Sequence, residues 1–277
     1  MSHPVKLSII TVNKNNAAGL KKTMESVISQ NFDDYEYIVI DGGSEDESTA
    51  VIREFENELA YWVSEPDSGI FNAMNKGIGK ASGEYCLFLN SGDWLVAPDV
   101  LRQVFNDPGG EDLLLAACRV SENGSMVHIA RPPEMLTMAS FYKRTIPHQS
   151  AFIKRSLFTS LGLYSEEYTL HGDYEFWIRA VISHSCTYRP VDMVITDYNL
   201  DGISGSEQYQ TLSRKEVETI LRNAIPRRVL EDYEQWMEEK TKMKPYFWAS
   251  EKGPLRFGIG LVYKTAGVVS AYIKGVK

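Results

Sequence analysis

Four residues that follow a short apolar run, Asn90-Ser91-Gly92-Asp93, form the first candidate site in the chain. The run from Tyr85 to Leu89 is almost wholly apolar and is bounded by turn formers, which is typical of a buried central strand. In an open α/β sheet, ligands bind outside the carboxyl ends of the strands. A carboxylate such as Asp93 could hold a metal ion or a polar substrate there, although an ordinary Asx turn between a strand and a helix has the same composition.

Three earlier strand-like runs also end in polar residues, which are Asn13, Asp41 and Asp67. The four predicted strands are Val5–Val12, Tyr35–Ile40, Ala60–Val63 and Tyr85–Leu89. Helical patterns follow each of the first three, so strand and helix alternate with short connections, which predicts a parallel sheet with helices on both faces. Because the carboxyl ends of parallel strands share an edge, we expect Asn13, Asp41, Asp67 and Asp93 to line one edge of the sheet, here called the rim. Loops of α/β proteins are usually polar, so it is the repetition that favours a site.

A second carboxylate, Asp173, lies at the start of a predicted helix over Gly172–Ile178. The helix macrodipole favours an ionised carboxylate at this end. The alternative is a plain N-terminal cap, for which Asp is a preferred residue.

The remaining elements of the second half are less regular. A hairpin is predicted for Leu113–Val120 and Ser125–Ala130, a strand for Ala151–Ile153, and strand-like segments for Thr187–Arg189 and Met193–Tyr198. From Ser206 onwards the pattern is helical and charged, with a break at Pro226.

The bulk properties of the chain exclude several classes of protein. The 277 residues are 43% hydrophobic and 24% charged, which is the composition of a globular protein with a sizeable core. The formal net charge of -8 argues against a nucleic-acid partner. The three cysteines form no Cys-x-x-Cys pair, which favours a reducing compartment. We expect no cleaved leader and no spanning helix, because no apolar run reaches the ~18 residues that one needs.

Together these motifs resemble family 2 glycosyltransferases of the GT-A fold. The matching segments are Ser8–Asn15, Ile40–Asp46, Asp67–Ile70 with Asn72, Asn75, Lys76 and Gly77, Ala81–Tyr85 and Leu89–Trp94, with His148-Gln149 and the Asp173 helix further on. The resemblance runs from residue 5 to about residue 205. It implies an α/β fold with a Rossmann-like, mostly parallel central sheet flanked by helices. Residues 1–205 would form the GT-A domain, with a nucleotide-sugar half over 1–95 and an acceptor half over 96–205. Residues 206–277 would form a helical extension.

The resemblance also implies roles for individual residues. Donor binding would involve Thr11 and Asn13 beside the nucleoside, Asp41 on the base (plausibly uracil), Asp67 and Asn75 around the ribose and diphosphate, and Ser91. Asp93 would bind a divalent cation, manganese or magnesium. Asp173 would be the general base, with Glu175 as the fallback, and His148 and Gln149 would lie on the acceptor side.

This sequence departs from the family pattern at the metal motif. The family commonly has an Asp-x-Asp pattern there, whereas this chain has Asn90 and Gly92, so Asp93 is the only carboxylate. Metal binding would then be completed by donor phosphates and water, or helped by a distant residue such as His148.

The resemblance implies an inverting hexosyl- or N-acetylhexosaminyl-transferase that uses a UDP-sugar or a related donor. The acceptor would be a glycan or a lipid-linked glycan in surface polysaccharide synthesis. The alternative is a degenerate module that binds a nucleotide or a partner without chemistry. The location would be cytoplasmic, with peripheral contact to the inner membrane face through the apolar and basic tail, residues 255–277. The alternative for this tail is a helix docked on the domain or on a second subunit of a homo-oligomer.

Overall fold

A sheet of nine strands runs through the part of the chain that the computed structural model describes, which is residues 5–107, 109–122, 124–142, 145–199 and 207–250. The strands are β1 (Leu7–Asn13), β2 (Tyr35–Asp41), β3 (Tyr61–Ser64), β4 (Tyr85–Phe88), β5 (Trp94–Leu95), β6 (Leu113–Glu122), β7 (Ser125–Ala130), β8 (Ala151–Lys154) and β9 (Tyr188–Asn199). The helices are α1 (Ala17–Ile28), α2 (Ser48–Glu54), α3 (Ile70–Ile78), α4 (Val100–Val104), α5 (Met138–Phe141), α6 (Arg155–Leu161), α7 (Gly172–Trp177), α8 (Glu207–Ala224) and α9 (Arg227–Ser250). The predicted α/β class with flanking helices is therefore confirmed.

The first half of the sheet has the order β3-β2-β1-β4, and all of its strands are parallel, as predicted. Adjacent residues of β4 show that helices cover both faces, because side chains alternate along a strand. Leu87 belongs to the same core cluster as Leu20 of α1. Phe88 points the other way, and its ring contacts Tyr164, which also contacts Phe71 of α3.

The second half of the sheet is mixed. β8 joins it to the first half by pairing antiparallel with β4, and β6 pairs antiparallel with β8 and parallel with β9. The predicted hairpin between β6 and β7 is present. The two strand-like segments after residue 186 form one strand, β9, because register shifts near Leu115 accommodate Pro190, which has no N–H to donate. β5 and α4 are short elements that the sequence pattern did not predict.

The chain divides into two compact units, one up to Ala224 and one from Ile225 onwards. The unit up to Ala224 includes α8, whose side chains bind it through the contacts described below. The division at residues 205/206 into a GT-A domain and a helical extension stays a prediction. The predicted break between two helices at Pro226 is present.

No helix within the described ranges is long and apolar enough to cross a membrane. The tail at 255–277, for which membrane contact was predicted, and the predicted loop at 201–205 lie outside the described residues.

Candidate functional site

The carboxyl ends of β1 and β2 are joined by a buried polar cluster. Asn13, at the end of β1, donates from Nδ2 to Asp41 Oδ1 at 2.7 Å. The Asp41 carboxylate also accepts hydrogen bonds from the backbone N–H and the hydroxyl of Ser44 and from the Ser64 hydroxyl, at 2.5–2.9 Å. Burial by itself would raise the pKa of Asp41, but the hydrogen bonds from Ser44, Ser64 and Asn13 outweigh burial and hold that pKa below its ordinary value. Asp41 is therefore an ionised carboxylate that fixes the loop after β2.

Two of the residues predicted to contact the nucleoside are fully buried. Thr11 and Asp41 both have 0% exposure, and the Thr11 hydroxyl bonds to the hydroxyl of Tyr37 at 2.9 Å. A base could contact Asp41 directly only if it replaced one of the protein donors described above.

Asp67, after β3, lies against the loop that follows β2. A Cβ atom at Gly42 would lie 2.3 Å from Asp67 Oδ2, so the Asp67 carboxylate lies directly against the backbone of Gly42. Asp67 Oδ1 accepts a hydrogen bond from the Gly69 N–H at 3.0 Å. Asp67 is partly exposed, so its carboxylate is a rim group that a ligand could reach.

Asn75 of α3 uses its side chain to hold a segment of the second half. Its Nδ2 donates to the Tyr164 carbonyl and to Glu166 Oε1, both at 2.9 Å, and its Oδ1 accepts from the Tyr164 N–H at 3.1 Å. Its amide therefore connects the two halves of the first unit. The part of Asn75 in framing a ribose or diphosphate stays a prediction.

The loop Asn90–Asp93 is held by the start of α1. Asn16, the N-cap of α1, donates from Nδ2 to the Ser91 carbonyl at 3.0 Å. Thr23 accepts from the Gly92 N–H at 3.0 Å and donates to the Asp93 carbonyl at 2.7 Å. These contacts fix the backbone of the loop, so its side chains have defined positions at the carboxyl end of β4.

The Asp93 carboxylate is 4% exposed and accepts a hydrogen bond from the Asn199 N–H at 3.3 Å. Burial raises the pKa of Asp93 to about 7, against the opposing effects of His148, the Asn199 N–H and Gln149, and the nearby Asp197 carboxylate raises it further. Asp197 is paired with Arg119. A cation beside Asp93 would supply the positive charge that its surroundings provide only weakly.

His148 bridges the metal-motif loop and the candidate base. Its Nε2 lies 3.1 Å from Asn90 Nδ2, and its Nδ1 lies 3.2 Å from Asp173 Oδ2. With the Asn90 amide in this orientation, Nδ2 can only donate, so Nε2 accepts and the ring proton lies on Nδ1, facing Asp173. The chain Asn90–His148–Asp173 thus joins residues that are 83 positions apart in the sequence (173 - 90 = 83).

Asp173 and Glu175 have different partners. Asp173 is 8% exposed, and its Oδ1 accepts from the Tyr174 N–H at 2.8 Å while Oδ2 faces His148. Both oxygens of Glu175 are bound by Arg179, at 3.0 and 2.8 Å. The structure therefore brings Asp173, and not Glu175, to the Asn90 loop.

The Asn90 loop presents a limited set of metal ligands. No group of three His, Cys, Asp or Glu side chains in the described residues could hold a metal ion. Besides the Ser91 hydroxyl, the loop contains the carboxylate of Asp93 and the amide of Asn90, whose buried Oδ1 has no hydrogen-bond partner in the described part of the chain. This set fits a hard cation such as magnesium or manganese that takes its other ligands from a diphosphate and water.

Three further residues hold the site together and were not predicted from the sequence. Asn90 was named as part of the candidate loop and as a departure from an acidic motif, but the role of its side chain as the partner of His148 was not predicted. Ser44 binds Asp41, for which the Asp-Gly-Gly-Ser turn gave a signal. Glu216 of α8 binds a turn more than 40 residues away, and nothing in the charged pattern of α8 distinguished it from its neighbours. Ser91 belongs to the Asn90 loop, and Gln149, which is 5% exposed, follows His148 in the chain. Their roles on the donor and acceptor sides stay predictions.

Comparison with known proteins identifies the family. The model of glycosyl transferase family 2 matches residues 8–169, which is more than half of the chain. An uncharacterised glycosyltransferase of Mycobacterium tuberculosis is 32% identical over 222 residues, covering 75% of this chain and 80% of its own. A PGL/p-HBAD biosynthesis glycosyltransferase of Mycobacterium bovis is 30% identical over 198 residues, covering 69% and 76%.

Solved structures share the fold. S. aureus TarS (residues 1–349), in complex with UDP-GlcNAc, superposes with a TM-score of 0.63 at 19% identity, over 82% of this chain and 69% of that one. The mannosyltransferase PcManGT of Pyrobaculum calidifontis, in complex with GDP-Man and Mn²⁺, gives a TM-score of 0.60 at 16% identity, over 80% and 65%. With a matching family model and relatives at this level of identity, the chain belongs to glycosyl transferase family 2.

Proposed function

We propose that this glycosyltransferase moves a hexosyl or N-acetylhexosaminyl group, with inversion, from a nucleoside-diphosphate sugar to a hydroxyl of a glycan or lipid-linked acceptor. The observation that carries the proposal is the hydrogen-bonded chain Asn90–His148–Asp173. It sets a buried carboxylate beside the loop that ends the central strand β4, where open α/β sheets bind their ligands.

Asp173 is the candidate base. In the proposed step, the acceptor hydroxyl oxygen bonds to the anomeric carbon, and the bond from that carbon to the diphosphate oxygen breaks with its electron pair on the diphosphate. The hydroxyl proton passes to the Asp173 carboxylate, which general-base catalysis requires to lie within hydrogen-bond reach of the acceptor. The Nδ1–H of His148 orients this carboxylate.

The donor is proposed to be a UDP-sugar, in line with the UDP-GlcNAc complex of TarS, with a GDP-sugar as the other choice, in line with the GDP-Man complex of PcManGT. A divalent cation held by Asp93, with Asn90 as a further oxygen ligand, would offset charge on the leaving diphosphate. Asn13 and Asp67, at the ends of β1 and β3, and Ser91 of the loop itself are proposed to frame the donor.

The acceptor and the location follow from the relatives and from the cysteines. The relatives include proteins named for PGL/p-HBAD biosynthesis, which supports a cell-surface glycan or a lipid-linked glycan as the product class. A cytoplasmic location is proposed because Cys86, Cys118 and Cys186 are free. Peripheral membrane contact through residues 255–277 and assembly into a homo-oligomer remain parts of the proposal.

The decisive experiment combines calorimetry and donor hydrolysis. UDP and GDP are titrated into the protein with and without manganese, and release of nucleoside diphosphate from common nucleotide sugars is then measured. We expect Asp93→Ala to abolish the manganese dependence of nucleotide affinity. Asp33→Ala, an exposed carboxylate before β2 at the opposite edge, should leave it unchanged. The enzyme hypothesis fails if no donor is consumed and Asp93→Ala binds nucleotide like the wild type.

A second candidate is a module that binds a nucleotide without turnover. The single carboxylate of the Asn90 loop and the fully occupied oxygens of Asp41 favour it. It predicts tight nucleotide binding together with donor consumption no faster than in buffer.

A further inference from the structure

The carboxylate of Glu216 on α8 binds three consecutive backbone N–H groups. Its Oε1 accepts from Thr169 at 2.8 Å, and its Oε2 accepts from Leu170 and His171, both at 3.0 Å. Glu216 is 7% exposed. Three successive N–H groups that converge on one carboxylate form a backbone anion site, here filled by the protein itself.

Within the described part of the chain, the charge of Glu216 is compensated by backbone groups alone. A buried carboxylate needs a compensating partner, because burial removes its hydration. In the described ranges Glu216 takes part in no ion pair, so the three backbone N–H groups supply that compensation. The side chain and the turn consequently depend on each other, and the turn cannot shift without leaving a buried charge unpaired.

The turn leads directly into the helix that carries the candidate base. The His171 carbonyl accepts the first helical hydrogen bond of α7, from the Glu175 N–H at 3.0 Å. The His171 side chain is itself held by α8, since its Nε2 lies 2.7 Å from the Ser213 hydroxyl. Asp173 is two residues further on, in the first turn of α7.

The start of α7 also contacts α3. A Cβ atom at Gly172 would lie 2.8 Å from ring atoms of Phe71, so α7 begins in close contact with that ring. The first turn of α7 and the turn before it are thus held by Phe71 of α3 and by Glu216 and Ser213 of α8.

We infer that Glu216 is a positioning residue for the acceptor side of the site: it holds the 169–171 turn so that Asp173 meets His148 at hydrogen-bond distance. The role of Asp173 in this inference rests on the proposed function. The claim that Glu216 fixes the 169–171 turn does not. It gives α8 a part in the site, which lies beyond the residues 8–169 that the family model matches.

The test compares Glu216→Gln with Glu218→Gln, an exposed carboxylate on the same helix. The substitution Glu216→Gln keeps the side-chain volume but turns one acceptor into a donor that faces a backbone N–H. We expect the amides of residues 169–171 to exchange with solvent at least ~10-fold faster in Glu216→Gln. We expect kcat for donor hydrolysis, with water in place of the acceptor, to fall roughly 10-fold, and KM for the donor and nucleotide affinity to stay unchanged. Glu218→Gln should match the wild type in every measurement.

A second variant keeps the inference testable if Glu216→Gln does not fold. Ser213→Ala removes only the bond to His171 and should lower kcat in the same direction by a smaller factor. Amide exchange at residues 169–171 that is the same as in the wild type would overturn the inference. So would a wild-type kcat in both Glu216→Gln and Ser213→Ala, provided that the wild type consumes donor. A wild type that consumes no donor would refute the proposed function instead, and amide exchange would then decide whether Glu216 fixes the turn.

Discussion

His148 gives the sharpest test of the proposed site, because its two ring nitrogens face different partners. The substitution His148→Asn can place an amide near the former Nδ1, next to Asp173, whereas His148→Gln can place one near the former Nε2, next to Asn90. These two variants and His148→Ala therefore separate the two contacts. If the contact with Asp173 is the one that matters, kcat should be highest in the wild type, lower in His148→Asn, and lowest in His148→Gln and His148→Ala together.

The magnitude follows from the geometry around Asp173. The carboxylate is 8% exposed and loses the hydrogen bond at 3.2 Å when the imidazole is removed. A hydrogen bond to a charged group contributes about 1.5–3 kcal/mol, and each 1.4 kcal/mol corresponds to about tenfold in rate. We therefore expect His148→Ala to lower kcat roughly 10- to 150-fold and His148→Asn to recover at least part of that loss.

The assay is donor hydrolysis under saturating nucleotide sugar, with calorimetric titration of the nucleoside diphosphate as the parallel measurement. If His148 has a purely structural role, all three variants should have lower thermal stability, and His148→Asn and His148→Gln should have the same kcat. The reasoning is refuted if His148→Ala keeps the wild-type kcat, or if the Asn and Gln variants have the same kcat in a protein that binds nucleotide normally.

Four further substitutions test other residues of the first unit. Asp173→Asn should lower kcat by about 10²-fold or more, the usual contribution of a general base. Glu175→Gln should mainly lower stability, because the oxygens of Glu175 bind Arg179. The kcat values of Asp173→Asn and Glu175→Gln are compared in the same donor-hydrolysis assay. Gly172→Ala should lower the free energy of unfolding by about 1–3 kcal/mol, because the new methyl group would meet the Phe71 ring; denaturant unfolding measures this. Asp41→Asn should lower the free energy of unfolding by about 2 kcal/mol at pH 7. Because the folded-state pKa of Asp41 lies below its unfolded value, the contribution is present above the unfolded pKa and disappears as the pH falls through the folded one.

Matched variants control for the substitutions themselves. Gly110→Ala adds a methyl group with nothing within 4 Å and should not change stability. Asp33→Asn changes an exposed carboxylate and should leave the free energy of unfolding at pH 7 unchanged. The predictions for Asp173 and Glu175 fail together if Glu175→Gln is the variant with the larger loss of kcat. The prediction for Asp41 fails if the difference in free energy of unfolding between Asp41→Asn and the wild type is the same at every pH.

The sequence predicted the part of the site that depends on strand order. Asn13 and Asp41 are the last residues of β1 and β2, Asp93 follows β4, and parallel strands bring such ends to one edge by geometry alone. The sequence could not predict which side chains remain available. Asp41 satisfies its own loop through Ser44 and Ser64, and whether a polar group faces inward or outward depends on packing that no local pattern encodes.

Contacts between distant segments were the least predictable. Glu175 and Arg179 are four residues apart on a helical pattern, so their ion pair could have been expected from spacing. The contact between His148 and Asp173, and that between Glu216 and the 169–171 turn, depend on how segments of the second half are arranged in space. That half lacks the regular alternation of strands and helices from which the first half was predicted. Its strand β5 has only two residues, which is too short to show a periodicity.

The pairing of β4 with β8 has a consequence for how the protein can be cut. The nucleotide-sugar and acceptor halves are functional descriptions, but they share one sheet, and β4 sits inside it with all four residues buried. In a fragment that ended at Asp107, β4 would be an unpaired apolar edge strand, and such strands tend to pair with those of other chains. Exchange of acceptor halves between relatives should therefore keep β8 matched to its own β4, and the natural unit for recombination is the whole sheet up to Ala224.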